Sequence, residues 1–320
     1  MTIGRAVKLA SRFAYFMFTT NAYLVFLHIP NLLHVPIATR CPPRDPNAKP
    51  GLEVGGLHKM FENIVASAPG NHSAEDRDVD SAMPPYTVTV HSRPWTAEEA
   101  EKATEETDQE LHQAYGGPPW VVTFDGFLTE EECEHLIALG QSEEYKRSED
   151  VGAAKFDGSF AGLQSTKRTS ENAWCKNGCR GDVVAQRVMD RIGNVTMIPS
   201  RNFEDFQILK YEEGQYYRTH HDYLSHQKDR QCGPRILTFF LYLSDVEAGG
   251  GTSFPGLGPL TIIPKRGRAL LWPSVLNDDP MIIDGRTLHE ALDVEKGTKY
   301  AANAWIHQYD YVSAAKNGCN

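Results

Sequence analysis

The stretch RILTFFLYLS, Arg235 to Ser244, decides the fold class. It is rich in β-branched and aromatic residues and follows Gly233-Pro234, so it reads as a strand leaving a turn. Three segments of the same character surround it: FEDFQILKY (203–211), LTIIPKRGRALLWPS (260–274) and GTKYAANAWIHQYDY (297–311), separated by Gly and Pro turns. Upstream the pattern is helical. PWVVTFDGFLT (119–129) reads as a strand running into a helix start, where Thr129 with Glu132 makes a capping box. Cys133, Leu136, Ile137 and Gly140 then give a short amphipathic helix with a glycine stop. In GDVVAQRVMDRIG (181–193), Val184, Val188 and Ile192 fall four apart on one helical face. Helices followed by a run of strands predict an α+β chain, with a double-stranded β-helix (jelly roll) core and supporting N-terminal helices.

Working outward, residues 40–84 mix Pro, Gly, Asn, Ser and charges, the composition of a stalk or linker. YTVTVHSRPW (86–95) suits an outlying edge strand, and a polar helix ends at AYGGPP. The expected domains are therefore a tail and membrane segment over 1–40, a stalk over 41–117, the main domain over 118–311 and a tail over 312–320. The net charge of −10 argues against a nucleic-acid partner. Much of the excess sits at Glu98, Glu99, Glu101, Glu105, Glu106, Asp108 and Glu110, which reads as a solvated helix face.

Arg5, Lys8 and Arg12 precede an interval free of Asp, Glu, Lys and Arg up to Arg40. Within it, FAYFMFTTNAYLVFLHIPNLL (13–33) is long enough to cross a bilayer. It reads as an uncleaved signal anchor, with a cleaved signal peptide as the alternative. The basic residues ahead of it place the N-terminus in the cytosol. The expected location is the endoplasmic reticulum membrane, single-pass type II, with the catalytic domain in the lumen. Sequons at Asn71-His-Ser and Asn194-Val-Thr agree with a secretory route. So do six cysteines, Cys41, Cys133, Cys175, Cys179, Cys232 and Cys319. Cys175 and Cys179 either pair or mark a metal site with partners elsewhere.

The stretch GQYYRTHHDYLSHQ (214–227) holds His220, His221, Asp222 and His226. On a strand, alternate side chains share a face, so His220 and Asp222 converge while His221 turns away. A facial Fe(II) site needs one more histidine. His289 in DGRTLHEALDV, sixty-nine residues downstream, suits a ligand from a late strand. Lys299, Ala301, Asn303 and Trp305 share strand parity. A lysine facing inward among such neighbours is costly without an anionic partner, which a dicarboxylate cosubstrate would supply.

From Phe127 to Gln308 the chain resembles the prolyl 4-hydroxylases, which are Fe(II)/2-oxoglutarate oxygenases. The motifs run in order: FLTEEECEHLI, RTS (168–170), YEEGQYYRTHHD, RILTFFLYLSDVEAGGGTSFP and DGRTLHEALDVEKGTKYAANAW. The resemblance implies that His220, Asp222 and His289 ligate iron and that Lys299 pairs with the distal carboxylate of 2-oxoglutarate. It further implies that Tyr211 hydrogen-bonds the same cosubstrate, that Thr252 lines its pocket, and that Tyr217, Arg235 and Trp305 contact the peptide. NAWCKNGC (172–179) matches the neighbourhood of a segment that covers substrate in the family. The chain departs from the family pattern at Gly251, Asp293 and Tyr300, which bears on peptide preference.

The implied activity is that of a procollagen-proline 4-dioxygenase-like enzyme (EC 1.14.11.-). It hydroxylates peptidyl proline with Fe(II), O2, 2-oxoglutarate and L-ascorbate, and releases succinate and CO2. Three rivals stay open: a lysyl or free amino acid hydroxylase of the same fold, a non-catalytic jelly-roll binding protein, and a zinc hydrolase with Glu290 as base.

Overall fold

A computed structural model of the chain describes residues 41–68, 85–102, 115–154, 160–164, 166–258 and 260–320. The apolar segment 13–33, the sequon at Asn71 and the acidic run beyond Lys102 lie outside these residues. Cys41–Ala153 and Phe160–Asn320 form one compact unit.

In chain order the elements are α1 (Gly56–Ala66), β1 (Thr87–Ser92), α2 (Ala97–Lys102), β2 (Val121–Asp125), α3 (Glu130–Ser142), β3 (Lys146–Arg147), β4 (Asp150–Ala154) and β5 (Phe160–Leu163). There follow β6 (Glu171–Trp174), α4 (Asn177–Arg180), α5 (Val183–Thr196), β7 (Gln207–Tyr211), β8 (Tyr217–His220), β9 (Arg235–Tyr242), β10 (Ala248–Gly249) and β11 (Thr252–Ser253). The last are β12 (Thr261–Ile262), β13 (Ala269–Pro273), β14 (His289–Ala291), β15 (Val294–Lys296), β16 (Lys299–His307) and α6 (Tyr311–Lys316).

Two antiparallel sheets make the jelly roll: an eight-stranded one in the order β1-β2-β13-β9-β16-β7-β6-β3, and a four-stranded one in the order β12-β11-β14-β8. β9 is buried along its whole length because both its faces are covered. Leu237, Phe239 and Leu241 enter a core shared with α1, α3 and α5. Phe240 and Tyr242 point the other way, into a cluster with Tyr211, Ala301 and residues of the small sheet, Ile262 and Ala291. The uniformly apolar reading of RILTFFLYLS follows from this double burial, and the α+β jelly-roll expectation holds.

Three local expectations change. Residues 41–66 are not a loose stalk. Leu57, Met60, Phe61 and Ile64, at helical spacing, enter the main core, and Phe61 stacks on Trp120 at 5.2 Å. The flanking Pro, Gly and charged residues hide that apolar face from a composition reading. The 312–320 segment is likewise no free tail: α6 begins at Tyr311, and buried Cys319 forms a disulfide with Cys41. The packed unit thus takes in Cys41–Ala153 and Phe160–Asn320, with β1 paired to β2 at the sheet edge as YTVTVHSRPW suggested. Finally, α3 carries its capping box but passes through Gly140 to Ser142. Gly140 is there for space: a Cβ would collide with Tyr145 and Ile208. The buried face of α5 centres on Ala185, Val188 and Ile192, with Val184 only half-buried.

Candidate active site

β14 pairs antiparallel with β8, and in that register His289 and His220 are direct cross-strand partners. The chain leaves β8 after His220 and brings Asp222 back to the same place. One ligand atom from each of His220, Asp222 and His289 lies within 4.8 Å of the others, a set that could hold a metal ion. His289 Nε2 stands 3.5 Å from Asp222 Oδ2, and His220 Nε2 stands 3.9 Å from Oδ1. Each histidine turns its Nδ1 onto a main-chain carbonyl, Arg218 at 2.9 Å and Thr287 at 3.0 Å. A carbonyl only accepts, so Nδ1 carries the proton and the Nε2 lone pair faces the cluster. His221 turns away as strand parity required: Nε2 donates to the Asp284 carbonyl and Nδ1 accepts from the Tyr223 amide, both at 2.9 Å. His226 sits in a short 3-10 turn outside the cluster.

Electrostatics suit a cation. Burial pushes the His220 imidazole well below its ordinary range, and His289 beside it adds to the shift. Burial alone would raise the Asp222 carboxyl. Attraction to the neighbouring His289, His220 and Arg235 side chains, with the Thr238 hydroxyl, outweighs burial and holds it below the usual carboxylate range. A neutral imidazole and an ionised carboxylate are the states a divalent ion needs.

Lys299, fully buried on β16, is the cross-strand partner of Tyr211. Its Nζ donates to the Gly250 carbonyl at 2.6 Å and lies 5.3–5.5 Å from the rings of Tyr211, Phe240 and Tyr242. Among the described residues no carboxylate forms an ion pair with it, and burial lowers its pKa to about 7. Thr252 and Tyr211 line a cleft of about 190 Å³ together with the three clustered residues. The Thr252 hydroxyl accepts from Tyr242 at 2.7 Å.

The remaining wall of the cleft is aromatic and cationic. Tyr217 stacks on His220 with ring centroids 3.5 Å apart, and burial raises its phenol pKa. Trp305 and Trp174 sit 5.9 Å apart, centroid to centroid. Arg235 lies over Trp305 at 3.6 Å but is already engaged: Nε and Nη2 donate to Glu204 at 2.6 and 3.1 Å. Its Nη1 reaches 3.5 Å from the Asp222 carbonyl. Glu204 also takes His307 Nε2 at 2.7 Å.

Several of these residues escaped the sequence reading. Glu204 had no signal beyond its place in FEDF. Arg168, in the RTS stretch, lies 4.6 Å over the Tyr217 ring and donates to Gln207 at 3.1 Å. Asn303, which shares parity with Lys299, donates to the same Gln207 oxygen at 3.2 Å. Trp174 stands one residue before a disulfide between Cys175 and Cys179, which resolves those two cysteines as a pair. Cys133 and Cys232 are free and buried. The family departures leave the cluster intact: a Cβ on Gly251 would press on Thr261, and Asp293 pairs with Arg218 at 2.8 Å.

Comparison with known proteins agrees with this geometry. Residues 206–307 match the model of the 2OG-Fe(II) oxygenase superfamily. The chain is 32% identical over 265 residues to probable prolyl 4-hydroxylase 8 of Arabidopsis thaliana, covering 76% of this chain and 87% of the relative. It is 34% identical over 215 residues to prolyl 4-hydroxylase 5 of the same plant, covering 60% and 70%. Among solved structures, a viral collagen prolyl hydroxylase of Paramecium bursaria Chlorella virus-1 superposes with a TM-score of 0.45 at 27% identity, over 58% of this chain and 94% of that one. With the closely covered plant relative and the oxygenase match spanning the clustered histidines and aspartate, the chain belongs to the prolyl 4-hydroxylase family of 2OG-Fe(II) oxygenases.

Proposed function

We propose that the protein is a prolyl 4-hydroxylase acting on peptidyl proline, with Fe(II), O2 and 2-oxoglutarate, releasing succinate and CO2. The observation that carries this reading is the convergence of His220, Asp222 and His289 in a cleft that also holds Tyr211, the cross-strand partner of the buried cation Lys299. Two imidazole nitrogens and one carboxylate oxygen are the donor set of a facial Fe(II) site with open positions. His220, Asp222 and His289 would hold Fe(II), which supplies C–H oxidation coupled to decarboxylation of the cosubstrate.

The chain's own residues do the rest. Lys299 provides the countercharge for the distal carboxylate, with the Tyr211 and Thr252 hydroxyls as further hydrogen-bonding groups. Tyr217, Trp174 and Trp305 give apolar walls for a proline ring and exclude water. Arg235, tethered by Glu204, keeps its planar head against Trp305.

Incubation with Fe(II), 2-oxoglutarate and ascorbate, using poly-proline, collagen-like and lysine-containing peptides, tests the reading by mass spectrometry. A gain of one oxygen on proline is expected. Oxygen gain on lysine alone, or on no peptide while 2-oxoglutarate is consumed, would overturn it. Ascorbate is proposed as the reductant that keeps the iron ferrous, and its omission should slow turnover.

We also propose a lumenal catalytic domain behind a type II anchor at 13–33. The disulfides Cys41–Cys319 and Cys175–Cys179 support an oxidising compartment. Asn194 is exposed at the end of α5, as a glycan acceptor must be. Among the described residues no helix is long and apolar enough to cross a membrane. Protease protection in intact microsomes tests the topology; digestion of the whole domain from outside would refute it.

A further inference from the structure

β9 carries a register shift against β16. Thr238 pairs with Trp305 and Leu237 with Ile306, but His307 pairs with Arg235, so Ile236 is an extra residue on β9. Strict alternation would set Arg235 and Thr238 on opposite faces. The bulge undoes this. Ile236 and Leu237 both enter the helix-side core, and Arg235 is re-aimed to the face that Thr238 occupies. Both side chains then reach Asp222: Arg235 Nη1 stands 3.5 Å from its carbonyl, and the Thr238 hydroxyl donates to its Oδ2 at 2.6 Å.

Thr238 is fully buried, with Trp272 and Trp305 as its cross-strand partners. It is the one hydroxyl-bearing aliphatic residue in RILTFFLY, where every other position from Ile236 to Tyr242 is apolar or aromatic. A buried hydroxyl is costly unless bonded, and here its bond goes to the only carboxylate of the three clustered residues. Asp222 lies beyond the end of β8, so no ladder hydrogen bond of that strand fixes its main chain. We propose that Thr238 is the positioning residue for Asp222: its hydroxyl holds the carboxylate in the rotation that faces His220 and His289, and thereby sets the affinity of the site for a divalent cation. This rests on the metal-binding reading of those three residues.

Anaerobic titration of the full chain with Co(II), followed by visible absorption and calorimetry, reads that affinity without turnover. Thr238→Val keeps the shape and removes the donor. It is expected to weaken Co(II) binding by about 10–100-fold, the range for loss of an outer-shell partner of a metal ligand. Thr238→Ser, which restores the hydroxyl, should recover most of the affinity, with thermal unfolding of the metal-free proteins confirming that each is folded. If Thr238→Val does not fold, Thr238→Ala carries the same comparison. Co(II) affinity of the hydroxyl-free variant equal to that of the unaltered protein would overturn the proposal. Failure of the unaltered protein to bind any divalent cation would instead overturn the metal reading itself.

Discussion

His220 and His289 sit directly across from one another in the β8–β14 ladder, with ring centroids 4.3 Å apart. Two adjacent strands therefore supply both imidazoles, and the loop after β8 supplies Asp222. Replacing any of the three with alanine removes a donor atom. Each such variant is expected to lose more Co(II) affinity than the roughly 10–100-fold typical of outer-shell changes, and to lose turnover. His221→Ala should keep metal affinity and lose about 1 kcal/mol of stability, because its hydrogen bonds to Asp284, Tyr223 and Thr287 disappear. Metal titration beside chemical denaturation of the same four variants separates the two effects.

Lys299 is buried with a main-chain carbonyl as its acceptor. Lys299→Ala should still bind metal but lose about 2–5 kcal/mol of 2-oxoglutarate affinity, the loss seen when one member of a buried charge pair is removed. Lys299→Arg, which keeps the charge on a bulkier planar head, should fail less badly. The pH dependence follows from a pKa lowered to about 7 by burial. Between that value and the ordinary lysine range near ~10.4, the unfolded chain binds a proton that the folded chain does not, so stability without cosubstrate rises with pH. A bound dicarboxylate favours the charged amine, so its affinity should fall as pH rises above about 7. Calorimetric titration of 2-oxoglutarate in buffers of different protonation enthalpy measures both affinity and proton uptake.

Glu204 anchors Arg235 and His307 within one buried network. Burial would raise its pKa, but the Arg235 charge and the hydrogen bonds from His307 and Arg235 bring it down to about 2. Burial would lower His307, but hydrogen bonds to Cys232 and Glu204 bring it up to about 9. The stability this network contributes through His307 is full below the ordinary histidine pKa and is lost as pH rises through about 9. Through Glu204 it is full above the ordinary glutamate pKa and lost as pH falls through about 2. Glu204→Gln leaves Arg235 buried without its countercharge and should cost about 3–5 kcal/mol. Urea unfolding across the pH range checks both flanks. Because Lys299 makes stability rise over the same range, His307→Asn should gain stability more steeply between pH 7 and 9 than the unaltered chain, in which the two effects oppose each other.

The two disulfides differ in the length of chain they close. Cys41–Cys319 spans 278 residues and Cys175–Cys179 only 4. By chain entropy the first should contribute about 5 kcal/mol and the second about 2 kcal/mol. Cys41→Ser should therefore lower the melting temperature more than Cys179→Ser. Cys179→Ser should instead show its effect on peptide KM, since the short bridge follows directly on Trp174 in the cleft wall. Equal melting temperatures would mean that Leu52 and Gln308, hydrogen-bonded to each other across the two ends of the unit, already pin the termini.

The sequence by itself determined what local chemistry can encode. Runs of β-branched and aromatic residues specify strands, the Thr129–Glu132 box specifies a helix start, and period-two alternation separates His220 and Asp222 from His221. Lys299 reads as an inward cation from the small and aromatic residues that share its parity, and it is fully buried. Tertiary structure decided the rest, because the deciding contacts join positions far apart in the chain. The α1 segment reads as linker until Phe61 stacks on Trp120. Glu204 carries no mark of its role until Arg235 and His307 arrive from β9 and β16. Arg235 and Thr238 belong to opposite faces by alternation, and only the extra residue at Ile236, visible in the pairing with β16, brings both to Asp222. A bulge is a property of two strands in register, so no single strand can announce it.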